Sequence, residues 1–390
     1  MKYSIFSLVF FLLLLSCKES GIKRPSMESK YTINVDDIKK EGVLGLSSIF
    51  KSIRPIILET KDNCLIGNID GMQVFNDLIY ILDIRIGRGV FVFDMEGNFV
   101  RRIGRIGGGP GEYSSVSDFT FDRENGMIFL IDDESLKINK YKLNGEYVSS
   151  ISINEMDGRS AHIQYIDKKI YADFESYRTN ENIDSCLIKT IDPSNGKVME
   201  NWLSVSNNNG WQRIILKGES YFYSRTGSSP KYIPYLSNTV YSVGESIEPY
   251  FTLESKDLIR REDFGEVDLM SSDALLKLSE IDKISFLLSY IETENIILFD
   301  YRKEWEVFSV IYDIKNNRAR VHRSFYDDFT YLSFGESVPL KFACGDDQGM
   351  FAYIHTDETT ELLSRVKDNK VNPDLPKLEI LKYYGTSSAG

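Results

Sequence analysis

The chain has 390 residues, with 46 basic and 58 acidic side chains, a formal charge of −12 and 13% aromatic residues. A net negative chain repels phosphate backbones and anionic headgroups, which argues against nucleic acid as a partner. Four cysteines without a Cys-x-x-Cys pair, and three histidines each alone in sequence, leave little for a zinc site or a histidine-dependent triad.

Residues 1–16 read as a lipoprotein signal peptide. Lys2 gives a positive start, the run from Ile5 to Leu15 is apolar except for Ser7, and Leu14-Leu15-Ser16-Cys17 matches a bacterial lipobox. Such a run is too short to span a bilayer, which takes about 20 residues. Cleavage before Cys17 leaves that thiol to carry lipid. Residues 17–30 are polar, with glycine, proline and serine, and read as a flexible tether. No later apolar run approaches spanning length, so the anchor is the only expected membrane contact.

A single domain is expected over 31–384. Tyr31 to Val35 is a candidate strand, and Leu78 to Asp83 is the second strand of a unit running from about Ile66 to Ile103. The clearest stretch is Val90–Val148, which states one pattern twice. Phe91-Val92-Phe93 turns at Asp94-Met95-Glu96-Gly97-Asn98 and returns through Ile103. A glycine-rich loop, Gly107-Gly108-Gly109-Pro110-Gly111, then leads to strands at Asp118–Asp122 and Met127–Asp132, and Asn144-Gly145 repeats the first turn. Short period-two strands with Asn-Gly-type turns, recurring every 40 to 50 residues or so, are the signature of propeller blades.

The third unit reads as Ile163–Ile166, Ile170–Phe174, Cys186–Ile191 and Val198–Leu203, with a turn at Asp192–Gly196. The fourth reads as Trp211–Leu216, Ser220–Tyr223, Asn238–Val243 and Tyr250–Leu253, with a long loop from Ser224 to Leu236. Between Lys256 and Lys283, Leu269, Leu275, Leu276, Leu278 and Ile281 follow near-helical spacing, predicting an inserted helix. The fifth unit reads as Ser285–Ile291, Asn295–Tyr301, Val307–Asp313 and Arg320–Ser324. The sixth takes Met350–Ile354, a helix over Glu358–Lys367 and a last strand, Leu378–Tyr383. Residues 385–390 read as a disordered tail. The fold class expected is therefore all-β: a six-bladed β-propeller of four-stranded antiparallel blades, with a short helical insertion between blades four and five.

The order of strand, Ile-Gly, glycine-rich loop, strand, Gly, strand and Asp in Val90–Val148 resembles the NHL-repeat type of propeller. More specifically, the chain resembles the six-bladed propeller lipoproteins common in gut Bacteroidetes. The phrases Ile57-Leu58-Glu59-Thr60 and Leu65-Ile66-Gly67 match the opening of that family's first blade, and Asn372-Pro373 stands where it places Asn-Pro before the last strand. The resemblance implies that N-terminal strands complete the last blade. It also implies an outer-membrane lipoprotein of the cell envelope, and Lys18-Glu19 after the lipid cysteine is similar to a surface-export signal. Periplasm-facing and surface-exposed placements both remain open. Ser117-Asp118-Phe119 and Asp132 to Ile138 lack the proline and arginine usual in NHL repeats, so no ligand contact of that arginine is carried over.

The glycine loop lacks a Gly-Lys-Ser/Thr ending and leads into a strand, so it reads as a crossover between blades and not as a phosphate cradle. Its side chains Arg105, Glu112 and Tyr113 are expected near the mouth of the central channel. Aromatic residues that could stack on sugar rings or peptide groups gather near blade four, giving Trp211, Arg225 and Tyr232 as further candidate contacts. Adjacent acids such as Asp132-Asp133 read as turn residues, since neighbours on a strand point to opposite faces. Inner-strand acids could hold calcium, but no EF-hand spacing supports it, and no cofactor or metal is expected. The leading expectation is a monomeric, non-enzymatic module binding a carbohydrate, peptide or envelope protein. The alternative is a metal-dependent lactonase-like hydrolase or lyase using channel carboxylates.

Overall fold

A computed structural model describes residues 21–386 apart from 27, 157, 177–185, 206–220, 226, 268–270, 304–305, 327–340, 347–348 and 354–378. The protein is all-β, a β-propeller of mainly antiparallel four-stranded sheets. The first sheet holds Gly71–Phe75, Leu78–Asp83, Gly89–Asp94 and Phe99–Ile103. The second holds Asp118–Asp122, Met127–Asp132, Lys137–Lys142 and Tyr147–Ser152. The third holds Ile163–Ile166, Lys169–Asp173, Cys186–Ile191 and Val198–Ser204.

The fourth sheet is built from Tyr221–Tyr223, Lys231–Ile233, Thr239–Val243 and Ile247–Glu254, and the fifth from Ile284–Glu292, Ile296–Lys303, Glu306–Asp313 and Arg318–Tyr326. Each gains a fifth, parallel strand on its outer edge, Tyr31–Asn34 for the fourth and Lys40–Gly45 for the fifth. The sixth sheet takes Lys341–Gly345, Gly349–Tyr353 and Glu379–Thr386 from the C-terminal end of the chain. Phe50–Ile57 completes it as the outer strand, antiparallel to Glu379–Thr386.

Packing explains the composition of these strands. A middle strand is covered on both faces by neighbouring sheets, so it reads as an apolar run: Ile79, Tyr80, Ile81 and Leu82 are all buried. An outer strand such as Tyr147–Ser152 is largely exposed and carries serines. Separate apolar clusters join the first sheet to the second, the second to the third and the third to the fourth. A larger one spans the fourth, fifth and sixth, and another joins the sixth back to the first through Ile56, Phe351, Ile81 and Phe93. The Tyr353 hydroxyl also donates to the Ile69 carbonyl at 2.9 Å across that last boundary.

Several expectations change. The Ser224–Leu236 segment is not one long loop, because Lys231–Ile233 is a strand between Tyr221–Tyr223 and Thr239–Val243. Its three residues are too few to show a period. The stretch read as a tether is docked from Lys23 onward: Lys23 forms a parallel bridge with Trp202, and the Ser26 amide donates to Glu248 at 2.8 Å. Ordered pairing at the C-terminus continues to Thr386, opposite Phe50, two residues into the expected tail. The inserted helix is Ser272–Glu280, following Ser271. Trp211–Leu216, Glu358–Lys367 and Asn372-Pro373 lie outside the described residues, as does the signal peptide with Cys17. Cys64, Cys186 and Cys344 are buried and none forms a disulfide.

Candidate functional site

In up-and-down sheets, the crossovers between sheets and the turns joining second to third strands share one face. The other turns share the opposite face. The crossover face is organised by three aspartates, each at the C-terminal end of a second strand. Asp83 accepts from the Gly67 amide at 2.7 Å, Asn68 at 3.2 Å, Arg85 at 3.1 Å and Ile86 at 2.9 Å. Asp132 accepts from the amides of Ser114 at 2.9 Å, Ser115 at 3.3 Å and Ser135 at 3.0 Å. Asp173 accepts from the amides of Ala161 and His162, both at 2.8 Å, and from the Ser160 hydroxyl at 2.9 Å.

Each carboxylate thus ties the crossover entering its own sheet to the end of its second strand. Burial works against charge on Asp83, yet donated amides outweigh it and hold the carboxyl below its usual range. The second strands of the last three sheets end instead at Ile233, Lys303 and Tyr353.

The glycine-rich crossover sits on this scaffold. Arg105–Ile106 pairs in parallel with Glu112–Tyr113, and Arg105 Nε donates to Glu112 Oε1 at 2.7 Å. The Gly109 amide donates to Glu112 Oε2 at 2.8 Å. This bond first, and Arg105 second, lower the Glu112 pKa. Arg88 reaches the same crossover, donating to the Ser114 carbonyl at 3.0 Å. The exposed surface here carries Arg85, Ile86, Arg105 and Ile106. The inserted helix lies on the same face further round, where Ala274 packs in a cluster with Leu236, Ile259 and Phe264.

The structure brings Arg105 and Glu112 together but separates the other candidates. Tyr113 does not line a channel mouth: it is 1% exposed, packed between the first two sheets, and its hydroxyl donates to the Ile103 carbonyl. Burial raises its pKa. Tyr232 is equally buried, against Phe222 at 5.0 Å between ring centroids. Both are bulky apolar rings in strands, and the packed boundary between sheets claims them. Arg225 is half-buried on the opposite face, in the connection after Tyr221–Tyr223, where its backbone bridges to Gly345. Trp211 lies outside the described residues.

Two clusters escaped the sequence reading. At the boundary of the second and third sheets, on the crossover face, His162 Nδ1 lies 2.9 Å from Asp173 Oδ2 and the Ile163 amide donates to Asp118 Oδ2 at 2.8 Å. Burial raises the Asp118 pKa to about 6. The aspartate that ends the second strand in each of the first two sheets, Asp83 and Asp132, is a usable signal for Asp173 in the third. Nothing in the spacing marked Asp118 or His162.

On the opposite face, Lys231 and Glu292 form an ion pair of 3.2 Å with both side chains 2% exposed. Ser228 and Tyr290 donate to the Glu292 carboxylate, each at 2.9 Å, and the Lys231 ammonium sits 4.2 Å from the Tyr250 ring centroid. Burial pushes the Lys231 pKa down, against the pull of Glu292. This cluster joins the fourth and fifth sheets beneath solvent, as a structural tie would. Among the described residues, no group of three or more His, Cys, Asp or Glu side chains could hold a metal ion. No helix among them is long and apolar enough to cross a membrane.

Residues 30–383 match the family described as a domain of unknown function, DUF4934. The fold is similar to that of a solved protein described as exported from Bacteroides fragilis, with a TM-score of 0.70 and 19% identity over 90% of this chain and 98% of that one. It is also similar to a DUF4221 family member from Bacteroides vulgatus, with a TM-score of 0.55 and 9% identity over 87% of this chain and 97% of that one. No curated protein matches the sequence.

Proposed function

The chain belongs to the DUF4934 family, and we propose that it is an exported, lipid-anchored, six-bladed propeller that binds a carbohydrate, peptide or envelope-protein ligand on its crossover face without turning it over. Export is supported by the exported Bacteroides fragilis neighbour and by the signal-like first sixteen residues ending before Cys17. Among the described residues, four sheets of four strands and two of five, besides two small two-stranded pairings, each larger sheet sharing an apolar cluster with the next, support six blades.

The observation that carries the binding reading is the set of aspartate clamps. Asp83, Asp132 and Asp173 fix three successive crossovers, so side chains above them stand on a prepared surface and lose little entropy on binding. Arg105, held by Glu112, and exposed Ile86 and Ile106 offer charge and apolar area over blade one. Fold alone does not choose a ligand.

Calorimetry of the mature chain against glycan, peptide and envelope-protein panels tests this reading. A ligand whose affinity falls on Arg105→Ala and Ile86→Ser, while Lys51→Ser on the rim changes nothing, is the expected result. Substrate turnover by the purified chain, lost on Asp118→Asn or His162→Gln, would replace binding with the hydrolase or lyase alternative.

A further inference from the structure

The chain preceding the ring does not hang free. It runs along the outer edges of consecutive sheets, meeting the third at Lys23, the fourth at Tyr31–Asn34, the fifth at Lys40–Gly45 and entering the sixth at Phe50–Ile57. Its first attachment is firm. The Lys23 amide donates to the Asn201 carbonyl at 2.9 Å, and the Leu203 amide donates to the Lys23 carbonyl at 3.2 Å. The Lys23 ammonium pairs with Glu200 and sits 4.8 Å from the Trp202 ring centroid.

Five residues lie between Cys17 and Lys23, which makes six Cα–Cα steps. Fully extended, they reach about 20 Å. A folded chain of this length has a radius of gyration of about 20 Å, so its width is roughly 50 Å. A lipid on Cys17 therefore cannot let the disc turn freely above a bilayer, because the leash is shorter than half the disc.

Resting on the lipid-anchor reading, we propose that the protein stands edge-on at the bilayer, with the rim of its third blade against the lipid surface and both faces open sideways. The parallel Lys23–Trp202 pairing directs the preceding chain toward the start of Val198–Ser204, where exposed Met199 lies. Met199 faces the headgroup layer. Lys51, exposed on the outer strand of the sixth blade, lies at the far rim. The glycine-rich crossover of blade one and the clamps of blades two and three are then reached laterally, by a ligand moving along the membrane or bound to a neighbour in it.

The test uses the full lipidated chain in liposomes carrying an energy-transfer acceptor lipid. A donor dye is placed on Met199→Cys or on Lys51→Cys, and buried Cys64, Cys186 and Cys344 do not compete for label. Transfer several-fold stronger from position 199 than from position 51 is expected. A Gly/Ser insert of about 40 residues before Lys23, whose extended reach exceeds the disc, should remove the difference. Equal transfer from both positions in the uninserted chain, or stronger transfer from 51, overturns the orientation alone. A wild-type chain that carries no lipid, behaving as Cys17→Ala does, overturns the anchor and the orientation with it.

Discussion

The ammonium of Lys231 and the carboxylate of Glu292 lie 3.2 Å apart with 2% of either side chain exposed, and they belong to different sheets. Removing one partner strands the other charge in the interior, which costs about 3–5 kcal/mol. Lys231→Met should therefore lower the urea midpoint sharply. Adding Glu292→Gln should cost less than its own effect in the wild-type background, since Tyr290 and Ser228 can still donate to the amide oxygen. A double-mutant cycle measures this coupling, and additive effects would show that the pair does not hold the fourth and fifth sheets together.

Gly97 and Gly196 end equivalent turns between third and fourth strands, with φ of +87° and +78°. A Cβ on Gly97 would lie 1.8 Å from the Ile57 carbonyl oxygen, and one on Gly196 would lie 1.9 Å from that of Ser152. In each case the contact is backbone on the outer strand of the preceding blade, so nothing flexible can yield. Gly145 holds the same turn position in the second sheet, but its Cβ would come no nearer than 3.5 Å to the Arg102 oxygen. Gly145→Ala should cost only the left-handed backbone strain of about 1–2 kcal/mol. Gly97→Ala and Gly196→Ala should cost clearly more in denaturant midpoint, and equal losses at all three would refute the close approach of neighbouring blades.

These turns show why so much of the ring was legible. Asp94 to Asn98, Asn144-Gly145 and Asp192 to Gly196 announce hairpins by residue type, and Asp94 and Asp192 accept the amides of Glu96 and Ser194 in turns of the kind those types favour. Strands three residues long, such as Lys231–Ile233, carry no measurable period and were lost. The candidate site was less legible. Arg105, Glu112 and Tyr113 all follow from the crossover pattern and Tyr232 from the gathering of aromatics near blade four, yet neither signal tells a ring at the surface from one packed between sheets, where Tyr113 and Tyr232 lie. Only the packing of neighbouring sheets decides between the two. The parallel edge strands Tyr31–Asn34 and Lys40–Gly45 pair across about 220 and 280 positions of sequence, a relation that no local signal encodes.

Asp118 and Asp173 face the same boundary with opposite consequences for stability. Burial raises the Asp118 pKa to about 6. Burial opposes charge on Asp173 as well, but His162 and the donors around it outweigh this and lower its pKa. Below the unfolded value of about 4, both states hold the Asp118 proton and it contributes nothing. From about 4 to 6 only the folded state keeps that proton, so its effect on stability becomes steadily less favourable as pH rises. Asp173 acts in the opposite sense. Its contribution is present above about 4 and is lost as pH falls through its lowered folded value. Asp118→Asn should therefore stabilise by about 1–3 kcal/mol at pH 7.5 and change little near pH 4. Urea titrations at the two pH values check this, and a gain of equal size at both would assign the effect to packing and not to charge.

The N-terminal strands play two roles that truncation can separate. Phe50–Ile57 lies against Glu379–Thr386 along its full length and supplies Phe50 and Ile56 to the core, so without it the sixth sheet keeps an open edge and the ring loses its seam. Tyr31–Asn34 and Lys40–Gly45 only add to the edges of sheets that already have four strands. A chain starting at residue 46 should therefore fold, with a lower denaturant midpoint from the loss of buried Ile33 and Val35, about 1.5–3 kcal/mol each. Its uncovered fourth and fifth edges should also promote self-association, visible by sedimentation velocity. A chain starting at residue 58 should lose cooperative unfolding and accumulate as insoluble material. Should it instead remain soluble with an unchanged β-sheet circular dichroism spectrum, closure by the two chain ends would not be what holds the ring.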